Sequence, residues 1–357
     1  MSIYVIIAIL AFGILIAVHE FGHFSAAKLL GVKVTEFAIG FGPKLLKKQG
    51  KETLYTLRAL PFGGYCTMEG QDVGMDDPRA FTSQRRWRRC AILTAGSFAN
   101  FVAAFIIIVI LTSSSTVFVG TRITGLFDGF PNEGEHGLMV GDTIVSINGE
   151  RLYYVEDFSM FMQLSTSGKV DLVVRRDGER IALNDFPLER RPYMIGGQEE
   201  LRFGITFNAI EASPWEKLKF SCYQSMNFVR LIRVSLAALI SGAIGLDGLS
   251  GPVGIVDAMN DIGQTAAAEG GFWAAIGSLA FFTAFIGVNL AVMNMLPIPA
   301  LDGGRILFIV IAWAIEKVTR RRLDPKYEGY IHTGAFVLLI GLMVFILVND
   351  VAKLFTR

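Results

Sequence analysis

The stretch from Ile3 to His23 reads IYVIIAILAFGILIAVHEFGH, and its last five residues, His19-Glu20-Phe21-Gly22-His23, have the form H-E-x-x-H. On a helix, residues four apart share a face, so both imidazoles can reach one ion while Glu20 projects beside them. Two neutral imidazoles and a carboxylate suit zinc, with a fourth position left for water. A glutamate near that water can take its proton and pass it to a leaving amine. From about Ile3 to Leu30 the sequence is otherwise predominantly apolar, which is long enough to cross a bilayer. Ionisable residues inside such a segment are costly and read as functional.

The whole chain agrees with a membrane setting. Of its 357 residues 52% are hydrophobic, and the mean hydropathy is +0.48, which points to a polytopic membrane protein. The net charge of +1 suggests no nucleic-acid partner. Cys66, Cys90 and Cys222 lack metal-type spacing, and their odd number argues against a disulfide framework. Met1-Ser2-Ile3-Tyr4-Val5 carries no Lys or Arg, so the first apolar run reads as a retained transmembrane helix rather than a cleaved signal.

Outward from the motif, short β-type runs broken by turn formers (Gly40-Phe41-Gly42-Pro43, Leu54 to Leu60, Pro61 to Tyr65) predict a small sheet or hairpin beside the site. Arg85, Arg86, Arg88 and Arg89 precede a second apolar run from about Ala91 to Leu111, which marks that end as cytoplasmic. From Val117 to about Leu188 the chain turns soluble in character, with an Asn148-Gly149 turn, a hairpin around Asp177-Gly178 and a helix from Glu156 to Leu164 between them. Within Ser213 to Gly254, Pro214-Trp215-Glu216-Lys217 reads as a helix start, and the stretch to Ile244 is apolar but interrupted by Arg230 and Arg233, which fits an interfacial or re-entrant helix. A third span is expected from about Phe272 to Leu296, a helix near the membrane from Ile306 to Ile315, and a fourth span from about His332 to Leu347.

Two histidines need a third protein ligand. Asp302 is the candidate, since it follows Pro297 and Pro299 at the cytoplasmic end of the third span, the depth expected for His19 and His23. Prolines break the helix there and free backbone groups, which suits a wet pocket.

Several motifs together resemble the site-2 protease family of intramembrane zinc metalloproteases, in its RseP-like bacterial branch. They are H-E-F-G-H, G-F-G-P at 40–43, A-G-S-F-A-N at 95–100 and N-M-L-P-I-P-A-L-D-G at 294–303. Ser97 stands where that family usually has proline. The resemblance implies that His19, His23 and Asp302 bind Zn2+, that Glu20 is the catalytic base, and that Asn294 holds the substrate backbone. The phrase from Gly137 to Glu150 (GLMVGDTIVSINGE) resembles a PDZ domain of the bacterial protease type. The expected fold is a polytopic α-helical membrane protein of about four spans, with a membrane-associated β-hairpin and one inserted extracytoplasmic PDZ domain. Its expected parts are residues 1–112 (two spans and the β segment), 113–205 (PDZ), 206–270 (interfacial connection) and 271–357 (the last two spans). The family implies single-span membrane proteins as substrates, such as anti-sigma factors or remnant signal peptides, and a peptide C-terminus as ligand of the PDZ domain. The expected location is the bacterial cytoplasmic membrane, with the N-terminus and PDZ domain outside and the site near the cytoplasmic face. A non-catalytic scaffold would need neither Glu20 nor Asp302, a soluble-acting zincin would not end an apolar run in H-E-x-x-H, and a transporter would spread its ligands over several depths.

Overall fold

The computed structural model describes residues 2–71, 77–165, 168–242 and 251–320, with scattered positions between 331 and 348. In chain order its elements are α1 (Ile3–Leu29), β1 (Val34–Gln49), β2 (Leu54–Met68), α2 (Arg86–Thr112), β3 (Val117–Leu126), β4 (Thr143–Ile147), β5 (Glu150–Arg151), α3 (Val155–Leu164), β6 (Lys169–Arg176), β7 (Glu179–Pro187), β8 (Arg191–Ile195), β9 (Gln198–Arg202), β10 (Ile205–Glu211), α4 (Pro214–Ile240), α5 (Pro252–Asn294) and α6 (Asp302–Thr319). Two compact units result, residues 1–111 with 224–357, and residues 112–223. The expected fourth span falls only partly among the described residues, and those described are helical.

In the first unit α1, α2 and α5 are long and apolar enough to cross a membrane. Ile3, Ile6, Leu10, Ile14 and Phe21 of α1 point outward, while Ala8, Leu15 and Ala27 are buried. Small residues bring the helices together. A Cβ on Gly22 would collide with the Ala95 carbonyl and the Ala99 side chain of α2, and one on Gly287 of α5 would press on Ala104 and Leu15. Such close backbone approach is how helices associate where no water is left to drive them. α5 breaks at Gly271, whose φ of +77° is open to glycine; the limb beyond it starts at Phe272. α4, which is not among the candidate spans, buries Phe228 and Ile232 against Ala104 and Ile108 of α2 and Ala284 and Val288 of α5.

β1 and β2 form more than a plain hairpin. Residues 36–39 pair on one side with 54–57 and on the other with 64–67, while 46–49 pair with the far side of 54–57. Each strand therefore doubles back, giving four runs in the order 64–68, 34–39, 54–57, 46–49. The reversals need left-handed backbone at Gly40 (φ +84°) and Gly63 (φ +79°). Glu52 ties the sheet down by accepting from Lys28 Nζ of α1 at 2.7 Å and Arg79 Nη2 at 2.6 Å. Lys28, then Arg79, hold its carboxyl down at about 2. Burial raises the Glu36 carboxyl, but hydrogen bonds from Arg58, Thr56, Tyr65 and Lys44 outweigh it and bring it to about 2.

Among the described residues the second unit holds an antiparallel sheet in the order β10-β3-β4-β6-β7 with β5 paired to β4, a separate β8-β9 ladder, the helix α3 and the start of α4. Asn148-Gly149 and Asp177-Gly178 hold φ values of +50°, +80°, +49° and +92°, as two-residue hairpin turns of primed type require. Asp142 of the Gly-Asp phrase is 1% exposed and works inside the fold: its two oxygens take Arg176 Nε and Nη2 at 2.8 Å each, and it caps the Met139 amide at 2.9 Å. A fork of this kind is what a buried carboxylate needs to avoid a desolvation penalty. Phe118, Tyr154 and Phe220 make a small aromatic core where the start of α4 packs on the sheet.

Candidate metal centre

Three donor groups converge in the first unit. α1 sets His19 and His23 one turn apart with their rings perpendicular, centroids 4.6 Å apart. Their Nε2 atoms stand 3.1 Å from each other, and Asp302 Oδ2 is 3.2 Å from His19 Nε2 and 3.1 Å from His23 Nε2. The turn after α5 delivers the carboxylate. Pro297 and Pro299 stop the helix, Ala300 takes an unusual φ of +79°, and Leu301 caps α6 so that Asp302 is its first residue. Gly303 and Gly304 are buried, and a Cβ on either would strike the backbone at Met295–Leu296 or at Ile298. The two glycines thus let α6 start directly on the turn.

The donor set fits zinc. Ligands at about 2.0–2.1 Å around a tetrahedral ion lie roughly 3.3 Å from one another, close to the three separations found here. Neighbours leave the right nitrogens free. His23 Nδ1 donates to the Ile92 carbonyl at 2.9 Å, so its lone pair is on Nε2. The amide nitrogen of Asn100, a residue with no exposure, lies 3.5 Å from His19 Nδ1, and its Oδ1 has no partner among the described residues. A half-turn of the amide would set Oδ1 opposite His19 Nδ1 to accept its proton, leaving Nε2 free on that ring as well.

Asn100 and Gly96 are the residues that reading the sequence alone did not assign. Gly96, one turn before Asn100 on α2, faces both rings, and a Cβ there would overlap His23 Nε2 and come within 2.8 Å of His19 Cε1. Asn100 carries a faint signal, a polar side chain inside an apolar run, but that does not say which helix it faces, and Gly96 carries none. Glu20 lies beside the sheet run 64–68, with its Cγ 3.5 Å from where a Cβ on Gly64 would be. Asn294 closes α5, half-buried, and no hydrogen bond joins it to the trio among the described residues.

A carboxylate and two imidazoles facing one point, the imidazoles on a helix suited to a bilayer and the carboxylate on the turn after another, describe a membrane metallohydrolase centre. The family model of peptidase family M50 matches residues 7–342, and the chain belongs to that family. It is similar to a candidate zinc metalloprotease of Clostridium acetobutylicum, 36% identical over 350 residues and 97% of each chain. The Regulator of sigma-W protease RasP of Bacillus subtilis is 27% identical over 435 residues, covering 98% of this chain and 99% of the relative. The Zinc metalloprotease RasP of Oceanobacillus iheyensis is likewise 27% identical, over 439 residues and 98% of this chain. The protein is thus a zinc metalloprotease of the site-2 protease type and a bacterial membrane protein.

Proposed function

We propose that this protease cuts peptide bonds within or near the transmembrane segment of single-span membrane proteins, with zinc held by His19, His23 and Asp302. The convergence of those three donors at 3.1–3.2 Å, with Glu20 next in sequence, carries the reading. Zinc bound there supplies a Lewis acid for the scissile carbonyl and acidifies water. Glu20 takes the proton of the attacking water and hands it to the leaving amine. Asn100 and the Ile92 carbonyl keep the two imidazoles in the tautomers the metal needs.

A helical substrate shields its own peptide bonds, so it must unwind to be cut. The outer edge of the run 64–68, unpaired among the described residues and beside Glu20, supports capture of the unwound segment by strand addition. Asn294 then holds substrate backbone at the end of α5. The antiparallel sheet with one helix supports a PDZ-type reading of the second unit, with β10 as an edge strand for a peptide C-terminus. The basic residues before α2 support a site near the cytoplasmic face, with the N-terminus and that domain outside. The sigma-factor name of the Bacillus relative supports anti-sigma factors as one substrate class, and remnant signal peptides are a second.

The test is cleavage of a labelled single-span substrate in detergent by the parent and by Glu20→Gln, with zinc measured in both. The expected result is at least a 1,000-fold loss of cleavage with zinc retained. Equal cleavage by both proteins would end the reading.

A further inference from the structure

The outer face of the second unit's sheet carries a row of like charges. Arg122 pairs in register with Thr143, Thr143 with Arg175, and Arg175 with Arg180, so three arginines share one face across β3, β4, β6 and β7. They border a cleft of about 280 Å³ that Arg151 completes, with Tyr153 and Asn208 also in its wall and no carboxylate. Among the described residues Arg122, Arg175 and Arg180 make no ion pair, and all three are exposed. Like charges directly opposite destabilise a sheet, so this arrangement works against the fold unless an anion joins it.

We propose that the cleft binds the phosphate of an anionic phospholipid head group. Arginine forks match phosphate oxygens in pairs. Leu152 and Ile210 add apolar wall for the glycerol end of such a molecule. The sheet strands here already pair with one another, so a peptide would gain no backbone ladder, which favours lipid over an acidic peptide. Tether length agrees. Val117 opens β3 five residues after α2, a candidate span, ends at Thr112, so at most about 18 Å of chain separates them. The head-group layer lies within that reach.

The experiment uses the full-length protein in neutral maltoside detergent. Short-chain phosphatidylglycerol, short-chain phosphatidylcholine, inorganic phosphate and an Asp/Glu-rich hexapeptide are titrated by calorimetry. Phosphatidylglycerol should bind at least tenfold more tightly than the other three. The triple variant R122Q/R175Q/R180Q should weaken that binding at least tenfold, while the charge-matched triple K169Q/R190Q/R191Q leaves it within twofold. The first triple should also unfold at the same or a higher temperature, since it removes repulsion, which separates lost binding from lost fold. The proposal is overturned if both triples weaken binding alike, if phosphatidylcholine or inorganic phosphate binds as well as phosphatidylglycerol, or if only the acidic peptide binds.

Discussion

At the scale of single residues, the space around the two imidazoles is set by α2. Gly96 leaves no room for a side chain against His19 and His23. Gly96→Val should therefore expel the metal, and zinc content below a tenth of the parent's, with unchanged helical circular dichroism, is the expected measurement. Asn100→Ala removes only the partner of one ring nitrogen, so a 10–100-fold weaker zinc affinity is expected, read by competition with a chelator. Asn100→Asp should restore most of it, because a carboxylate accepts the same Nδ1 proton; failure of that rescue would leave Asn100 a packing residue. These two positions show where reading the sequence stops. His19 and His23 are legible because both lie within one turn, and Asp302 because the prolines before it break an apolar run. Gly96 matters only through atoms of a different helix, and no local pattern states which helix faces which.

At the scale of elements, the sheet of β1 and β2 hangs on charged clamps. Runs and turn formers were readable between 40 and 65, but the doubling back was not, because it depends on which run pairs with which over separations from 5 to 34 residues. The helical limb leading into the third span was likewise hidden, since the expected span starts at about Phe272 and α5 already begins at Pro252, with a kink at Gly271 between the two limbs. Glu52, held at about 2 by Lys28 and Arg79 against an ordinary 4.5, is ionised more readily folded than unfolded. Its contribution is therefore present above about pH 4.5 and lost as pH falls toward 2. The pair is partly exposed, so screening keeps the effect under about 1 kcal/mol. Glu52→Gln should lower the unfolding temperature at pH 6, and the gap from the parent should shrink by pH 3. A gap that stays constant would show that the clamp's charge contributes nothing.

At the scale of the whole molecule, the helices pack through interfaces of their own. Leu15 and Ala8 of α1 meet Met259, Leu279 and Ile286 of α5, and Ala27 joins Ile92, Leu93 and Ile309 in a second cluster. Removing the metal should therefore abolish cleavage without unfolding. Treatment with a strong chelator is expected to leave helical circular dichroism within a tenth of the parent's value, and added zinc should restore cleavage. Collapse of the helical signal would instead make the metal a structural staple. The site also draws its parts from far along the chain, since Asp302 comes 283 positions after His19. A ribosome adding roughly 5–20 residues per second takes about 15–60 s to cover that stretch. For that interval the nascent enzyme carries a glutamate and two histidines but no third donor. Until Asp302 has been made, the three-donor group of the folded chain cannot form, so a newly inserted first helix carries the H-E-x-x-H residues without the completed cluster.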